Sequence, residues 1–199
     1  MADDPIPTSP LATEAKASGR NQSGIEQPTS KVSRLLAYRI LLSLAVGLFV
    51  LDQLTKLWIA SRLPFGTYGE AGGAIPLIRG FFYLVHQGNT GAAWSMFTGR
   101  STWLAVLACG TLAAIFLWRR ALGLRHPSAQ IAFGLLCGGI VGNFVDRLIH
   151  GHVIDFIDLH FGNYTYPTFN VADSAICVGV FWYVLWSLRQ PGGNGGSVS

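Results

Sequence analysis

GGIVGNFVDRLIHGHVIDFIDLHFGNYTYPTFNVAD, residues Gly138 to Asp173, decides how the rest of the chain is read. Asp146, Asp155, Asp158 and Asp173 are the only acidic residues downstream of Glu70, and all four fall within this stretch. Apolar runs of membrane-spanning character flank it on both sides. An Asp at the centre of a membrane helix costs about 2.5–3.5 kcal/mol on insertion scales. Carboxylates kept beside such runs point to chemistry before they point to packing.

Working outward, residues 129–149 on the upstream side form one apolar helix-length run and residues 171–188 on the downstream side form another. The first is rich in glycine (Gly134, Gly138, Gly139, Gly142), which suits close helix approach in lipid. The second carries Trp182, Tyr183 and Trp186 towards its far end as interface anchors. Further upstream, residues 102–118 and 35–59 complete a set of four predicted spans, each near the length a bilayer requires. In the earliest of them Asp52 and Lys56 stand four apart, on one helix face, acid first.

Between the first two spans, residues 60–100 are broken by Pro64, Gly66, Gly69, Gly72, Gly73, Pro76, Gly80 and Gly88. Phe81 to His86 reads as a strand, with Ile75 to Ile78 as its candidate partner. Asn89-Thr90-Gly91-Ala92-Ala93-Trp94-Ser95 follows, small and polar with Trp94 as its one aromatic anchor. This segment is expected to lie on the membrane as a structured excursion. Residues 150–170 are expected to be a loop.

Composition agrees. Half of the 199 residues are apolar and 12% are charged, outside the range of soluble domains. The net charge of +4 fits a neighbour of anionic lipid. Its basic residues are spread along the chain without a clustered face, so a nucleic-acid partner is excluded. Cys109, Cys137 and Cys177 each sit in an apolar run and imply no disulfide framework. Residues 1–30 are expected to be a disordered cytoplasmic tail, 31–190 the four-span membrane unit and 191–199 a flexible C-terminal tail. The first apolar run begins too late for a cleavable signal peptide.

Four spans put both termini on one side. Arg119, Arg120 and Arg125 in the short second loop, with Lys31, Arg34 and Arg39, favour that side being cytoplasmic. The excursion and the 150–170 loop then face outward together, and Asp52, Asn89, Asp155 and Asp173 gather at the outer interface.

Asp155 and, 18 residues on, Asp173 are joined by a loop that can return the chain to the same depth. Two carboxylates brought close share a proton; the ionised one can deprotonate water while the protonated one polarises a carbonyl. That is the chemistry of an aspartic protease and needs no metal. The bland alternative for Asp173 is an acid placed near a helix N-terminus by the macrodipole. Asn170, three residues earlier, could cap that helix or orient a carboxylate, and the two roles are compatible. Asp146 and Arg147 are adjacent, on different helix faces, so each is expected to brace a neighbouring polar group with Asn143 nearby. His150, His152 and Asp155 could in principle bind a metal, but no ligand signature accompanies them and interfacial histidines are the better reading; no metal and no cofactor are assigned.

Taken together, five blocks resemble the lipoprotein signal peptidase (signal peptidase II) family: Asp52-Gln53-Leu54-Thr55-Lys56, Asn89 to Trp94, Gly138 to Arg147, Val153-Ile154-Asp155-Phe156, and Phe169-Asn170-Val171-Ala172-Asp173-Ser174. They occur in family order over about residues 35–188. The resemblance implies an all-α integral membrane fold of four transmembrane helices with a small outward-facing β-cradle and a surface helix. It implies a bacterial inner-membrane aspartic endopeptidase that cuts prolipoproteins before a Cys carrying diacylglyceryl, and globomycin-type peptides as inhibitors. The catalytic pair falls on Asp155 and Asp173, and the supporting polar residues on Asp52, Asn89, Asn143, Asp146, Arg147 and Asn170. Lys56 belongs to the first block, and Trp94 would help hold the substrate at the interface. Asp146 is the competing partner for Asp173, and Asp158 the weakest candidate.

A proton- or ion-coupled transporter would also keep acids among its spans. It predicts acids near mid-span and often an internal repeat, whereas these acids sit at span ends and no repeat is visible. A scaffold protein has no reason to set Asp155 and Asp173 beside Asn143 and Asn170.

Overall fold

The computed structural model describes residues 36–92 and 96–190. The expectations for both tails and for Trp94 lie outside the described residues. In chain order the elements are α1 (Arg39–Arg62), β1 (Ile75–Ile78), β2 (Phe82–Asn89), α2 (Ser101–Leu117), α3 (Pro127–His150), β3 (Val153–Phe161), β4 (Tyr164–Phe169) and α4 (Val171–Leu188).

Among the described residues, α1, α3 and α4 are long and apolar enough to cross a membrane, and α2 is an apolar helix of 17 residues. The helices are apolar outside, and α1 and α3 bury charged side chains within the bundle. On α1, Val46, Val50, Leu51, Leu54, Leu57 and Trp58 are exposed, whereas Asp52, Lys56 and Ile59 are buried on one face. Lipid is the medium that makes this inversion stable, because a charged group is cheapest where protein partners meet it.

Helix α3 is central and packs against α1, α2 and α4. Its glycines do what their number suggested. A Cβ on Gly134 or Gly138 would come within 2.8 Å of α1 at Leu44 or Ala45, and one on Gly139 would strike the Ala172 carbonyl of α4. Without side chains at these positions the backbones approach closely, which is how helices gain dispersion energy in lipid. Gly179 on α4 lets Ala132 approach in the same way. A satellite apolar cluster of Phe133, Ala129, Leu124 and Ile115, with Tyr183 and Trp186 against it, fills the end of the bundle near the 118–126 turn.

The other end carries a four-stranded antiparallel sheet in the order β1-β2-β3-β4. Several expectations are corrected here. Residues 150–170 are a β-hairpin, β3–β4, not a loop. Val153, Ile154, Phe156, Ile157 and Leu159 carry strand propensity, and the acids among them are held by the donors described below. An all-α description therefore understates the fold. Pro76 and Pro167 sit in β1 and β4, the two edge strands, where a missing N–H breaks no ladder. The pairing of Ile75–Ile78 with β2 is as expected. Strand β2, expected over 81–86, continues to Asn89, which lies opposite Val153. The only helical turn among the described residues of 63–100 is 3₁₀, Glu70–Gly72, so no surface α-helix is found there.

Ile59 of α1 and Leu63, just past its end, pack on Phe156, with Ile75, Leu84, Ile157 and Val171 around them. This apolar joint fixes the sheet to the helices. Gly151 ends α3 in the left-handed region, φ 73°, and lets the chain turn directly into β3. Asn170 then begins α4, so one helix end, one strand and one helix start converge.

Candidate active site

Asp155 and Asp173 are brought together at this convergence, and Asn170 touches both. Its Nδ2 donates to Asp155 Oδ1 at 2.8 Å, and its backbone N–H donates to Asp173 Oδ2 at 3.2 Å. Its own Oδ1 accepts from the Asp173 N–H at 2.9 Å, completing a reciprocal capping box at the start of α4. The capping role and the orienting role belong to the same side chain. The remaining carboxyl oxygens are held by Asn89, Nδ2 to Asp155 Oδ2 at 2.9 Å, and Asn143, Nδ2 to Asp173 Oδ1 at 2.7 Å. All four oxygens of the pair thus face amide donors, which fixes their planes before any ligand arrives.

The two acids differ in surroundings. Asp155, on β3, is 1% exposed, whereas Asp173, at the first turn of α4, is only half-buried. Burial and then the charge of Asp173 push the Asp155 carboxyl up to about 7, against the opposing hydrogen bonds from Asn89 and Asn170. Burial and a neighbouring carboxyl thus let Asp155 carry a proton at pH values where a solvent-exposed Asp has lost it.

Beneath the pair lies an ion cluster. Lys56, 2% exposed, reaches Asp52 Oδ2 at 2.8 Å, Asp146 Oδ2 at 2.8 Å and Asn143 Oδ1 at 3.0 Å. The Asp52–Lys56 pairing follows the sequence spacing; the pairing with Asp146, 90 residues on, does not. Gln53 donates to Asp146 Oδ1 at 3.0 Å and lies 3.2 Å from Asp52 Oδ2. Sequence reasoning passed over Gln53, although an amide beside Asp52 in an apolar run was the available signal. Asp146 and Arg147 do not pair with each other. Arg147 holds the Gly91 carbonyl through Nη2 at 2.9 Å and the Asn143 carbonyl through Nη1 at 3.2 Å. It ties the segment after Asn89 to α3.

Asp158 is elsewhere. It is fully buried on β3, with Oδ2 at 2.8 Å from His160 Nε2, and belongs to a separate group with Tyr83, whose ring meets His160 edge-on at 5.0 Å. His150 and His152 lie 5.9 Å apart between ring centres, and Phe65 packs against His152. Burial and then His150 hold His152 below its ordinary range. Among the described residues no group of three or more His, Cys, Asp or Glu side chains is placed to hold a metal ion.

Helices with apolar outer faces and the charged Asp52, Lys56 and Asp146 turned inward, and a pair of carboxyls braced by asparagines at one end of the bundle, define an integral membrane protein with an acid–amide site. The chain belongs to the signal peptidase II family, whose model matches residues 44–189, and is with it a membrane-embedded protease. It is 38% identical over 137 residues to a lipoprotein signal peptidase of Bacillus pumilus, covering 69% of this chain and 84% of that one. It is 35% identical over 163 residues to one of Xanthomonas oryzae pv. oryzae (80% and 93% covered), and 38% identical over 161 to one of Nitratidesulfovibrio vulgaris (78% and 93%). Two solved bacterial membrane enzymes superpose with TM-scores of 0.67 and 0.65 at 31% and 30% identity, covering 75% and 76% of this chain and 87% and 94% of theirs.

Proposed function

We propose that the protein removes the signal peptide from diacylglyceryl-modified prolipoproteins, cutting before the lipidated Cys, with Asp155 and Asp173 as a metal-free general acid/base pair. The observation that carries this is Asn170 gripping both carboxyls at once, one through its side chain and one through its backbone. A merely structural N-terminal acid at Asp173 needs no second, buried carboxyl beside it.

In the mechanism, Asp173 as carboxylate takes a proton from a water that attacks the scissile carbonyl carbon. Protonated Asp155 donates a hydrogen bond to the carbonyl oxygen and stabilises its developing charge. The tetrahedral intermediate collapses as the proton held by Asp173 passes to the leaving nitrogen, and the C–N bond breaks. The pair's single proton is then restored. Asn89, Asn143 and Asn170 keep the carboxyls oriented throughout, and Arg147 holds the segment at Gly91 beside them.

The proposed setting is a bacterial inner membrane. Helix α2, about 26 Å long at 1.5 Å per residue, serves as the fourth span. Both termini are cytoplasmic, and the sheet and the acid pair face the periplasm. Lipid anchoring of the substrate fixes its depth and confines the encounter to two dimensions, which helps place the scissile bond. The sheet and Trp94 would hold the extended chain, and globomycin-type peptides would compete for the same site.

The test is cleavage of a lipidated prolipoprotein by purified protein in detergent, with Asp155→Asn, Asp173→Asn and Asp146→Asn alongside and a chelator added to one wild-type sample. Loss of activity in the folded Asp155 and Asp173 variants, with no effect of chelator, is expected. If Asp155→Asn cuts normally while Asp146→Asn is dead, the pair is assigned wrongly. If the wild type cuts nothing, proton-coupled transport becomes the reading to assay.

A further inference from the structure

The ion cluster under the acid pair contains a correspondence that its own stability does not require. Asp52 Oδ1 accepts the backbone N–H of Ala172 at 3.0 Å, the residue immediately before Asp173. Asp146 Oδ2 accepts the backbone N–H of Ile154 at 3.1 Å, the residue immediately before Asp155. Both carboxylates are joined by the same ammonium, Lys56 Nζ, at 2.8 Å each.

The third acceptor of Lys56 is Asn143 Oδ1, which also takes the Asn170 Nδ2–H at 3.2 Å. With two donors on its oxygen, the Asn143 amide has only one useful orientation, Nδ2 towards Asp173. The close passage of α1 and α3 at this level is permitted by Gly142, where a Cβ would lie 2.5 Å from Asp52 Oδ2.

From this we infer that Asp52, Lys56 and Asp146 are positioning residues that set the separation and orientation of Asp155 and Asp173, each acid gripping the backbone one residue before its member of the pair. The inference rests on the proposed peptidase reading. The cluster is rigid because all three residues are nearly inaccessible to water and Lys56 spends its three N–H donors on three acceptors. Moving either backbone grip moves one carboxyl relative to the other. A misplacement of about 1 Å is worth about 100-fold in rate.

The gripping atom is a carbonyl-type oxygen, so an amide can supply it and a methyl cannot. Asp146→Asn keeps one oxygen for both the Ile154 N–H and Lys56, which share Oδ2. Asp52→Asn keeps an oxygen for the Ala172 N–H but gives up its bond to Lys56, which falls on the other oxygen. Asp52→Ala and Asp146→Ala remove the grip altogether. The experiment measures kcat, KM and the pH profile of each purified, monodisperse variant on a lipidated prolipoprotein peptide, per mole of folded enzyme. Expected is a fall in kcat of about 100-fold in each Ala variant with KM within about 2-fold, and recovery to within about 10-fold of wild type in each Asn variant. The two limbs of the pH profile should draw together in the Ala variants, because carboxyls held farther apart repel less.

A purely structural cluster would lower the yield of folded enzyme while leaving kcat per folded molecule and both limbs unchanged, and that result overturns the inference. Where an Ala variant does not fold, its Asn counterpart carries the test: an Asn variant as impaired as Asp155→Asn would show that charge matters and the backbone grip does not. Wild-type enzyme and Asp155→Asn run in parallel separate the two levels. A wild type that does not cut sinks the peptidase reading, whereas an active wild type with fully active Ala variants sinks only the positioning role.

Discussion

Replacing Asp155 by Asn should make the protein inactive and, above neutrality, more stable. Unfolded, an Asp titrates near 3.8; in the fold, burial and then Asp173 raise this carboxyl to about 7. Between those values the folded chain holds a proton that the unfolded chain has lost. The stability associated with this group is therefore fully present below pH 3.8, drains as pH rises through the window, and levels off above 7. The displacement is worth about 4 kcal/mol at 1.36 kcal/mol per tenfold change. An Asn does not titrate and escapes that penalty. Its NH₂ must face one of the two amide donors, Asn89 or Asn170, which costs about 1 kcal/mol. The variant should thus gain about 3 kcal/mol over wild type at pH 8, and be about 1 kcal/mol less stable at pH 3.5. For a chain of this size the gain corresponds to roughly 6–12 °C in melting temperature. The six tryptophans report it by intrinsic fluorescence in detergent micelles, with melts at pH 3.5, 6 and 8. A difference between variant and wild type that is the same at all three pH values would refute the claim that Asp155 is held protonated by its site.

Three further outcomes follow from the same geometry. Asn170→Ala removes the helix cap and the donor to Asp155 together, so it should cost about 1–2 kcal/mol in a thermal melt and lower kcat in the cleavage assay. An unchanged kcat would limit Asn170 to capping. Lys56→Met leaves Asp52 and Asp146 buried without their counter-ion and should destabilise by about 3–5 kcal/mol, read as loss of monodisperse protein by size-exclusion chromatography. Gly142→Ala pushes a methyl to 2.5 Å from Asp52 Oδ2 and should cost about 1–3 kcal/mol in a melt, while Gly47→Ala, with open space around it, should change little.

The parts of this protein legible in the sequence are those set by local chemistry and by the solvent. Apolar runs of bilayer length marked the helices, because a membrane requires each spanning segment to satisfy its own backbone. The prediction for 171–188 coincides with α4, and that for 129–149 falls short of α3 by two residues at its start and one at its end. The Asp52–Lys56 pair and the Asn170 cap were visible because partners three or four residues apart meet on one helix whatever the rest of the fold does. The strand character of 153–161 was missed because its acids look like loop residues until their distant amide partners, Asn89 and Asn170, are known.

Only the tertiary structure decided what the other acids do. Asp146, Asp155 and Asp158 lie within 13 residues of one another and are chemically identical in the sequence. Packing sends Asp146 to Lys56, Asp155 to the asparagines beside Asp173, and Asp158 to His160 in a separate group. The pairing of each carboxylate depends on which backbone and side-chain donors α1, α3, the sheet and α4 bring to it, and those donors come from up to 120 residues away. A buried charge is stable only where its partners are, and that location is a property of the assembled fold.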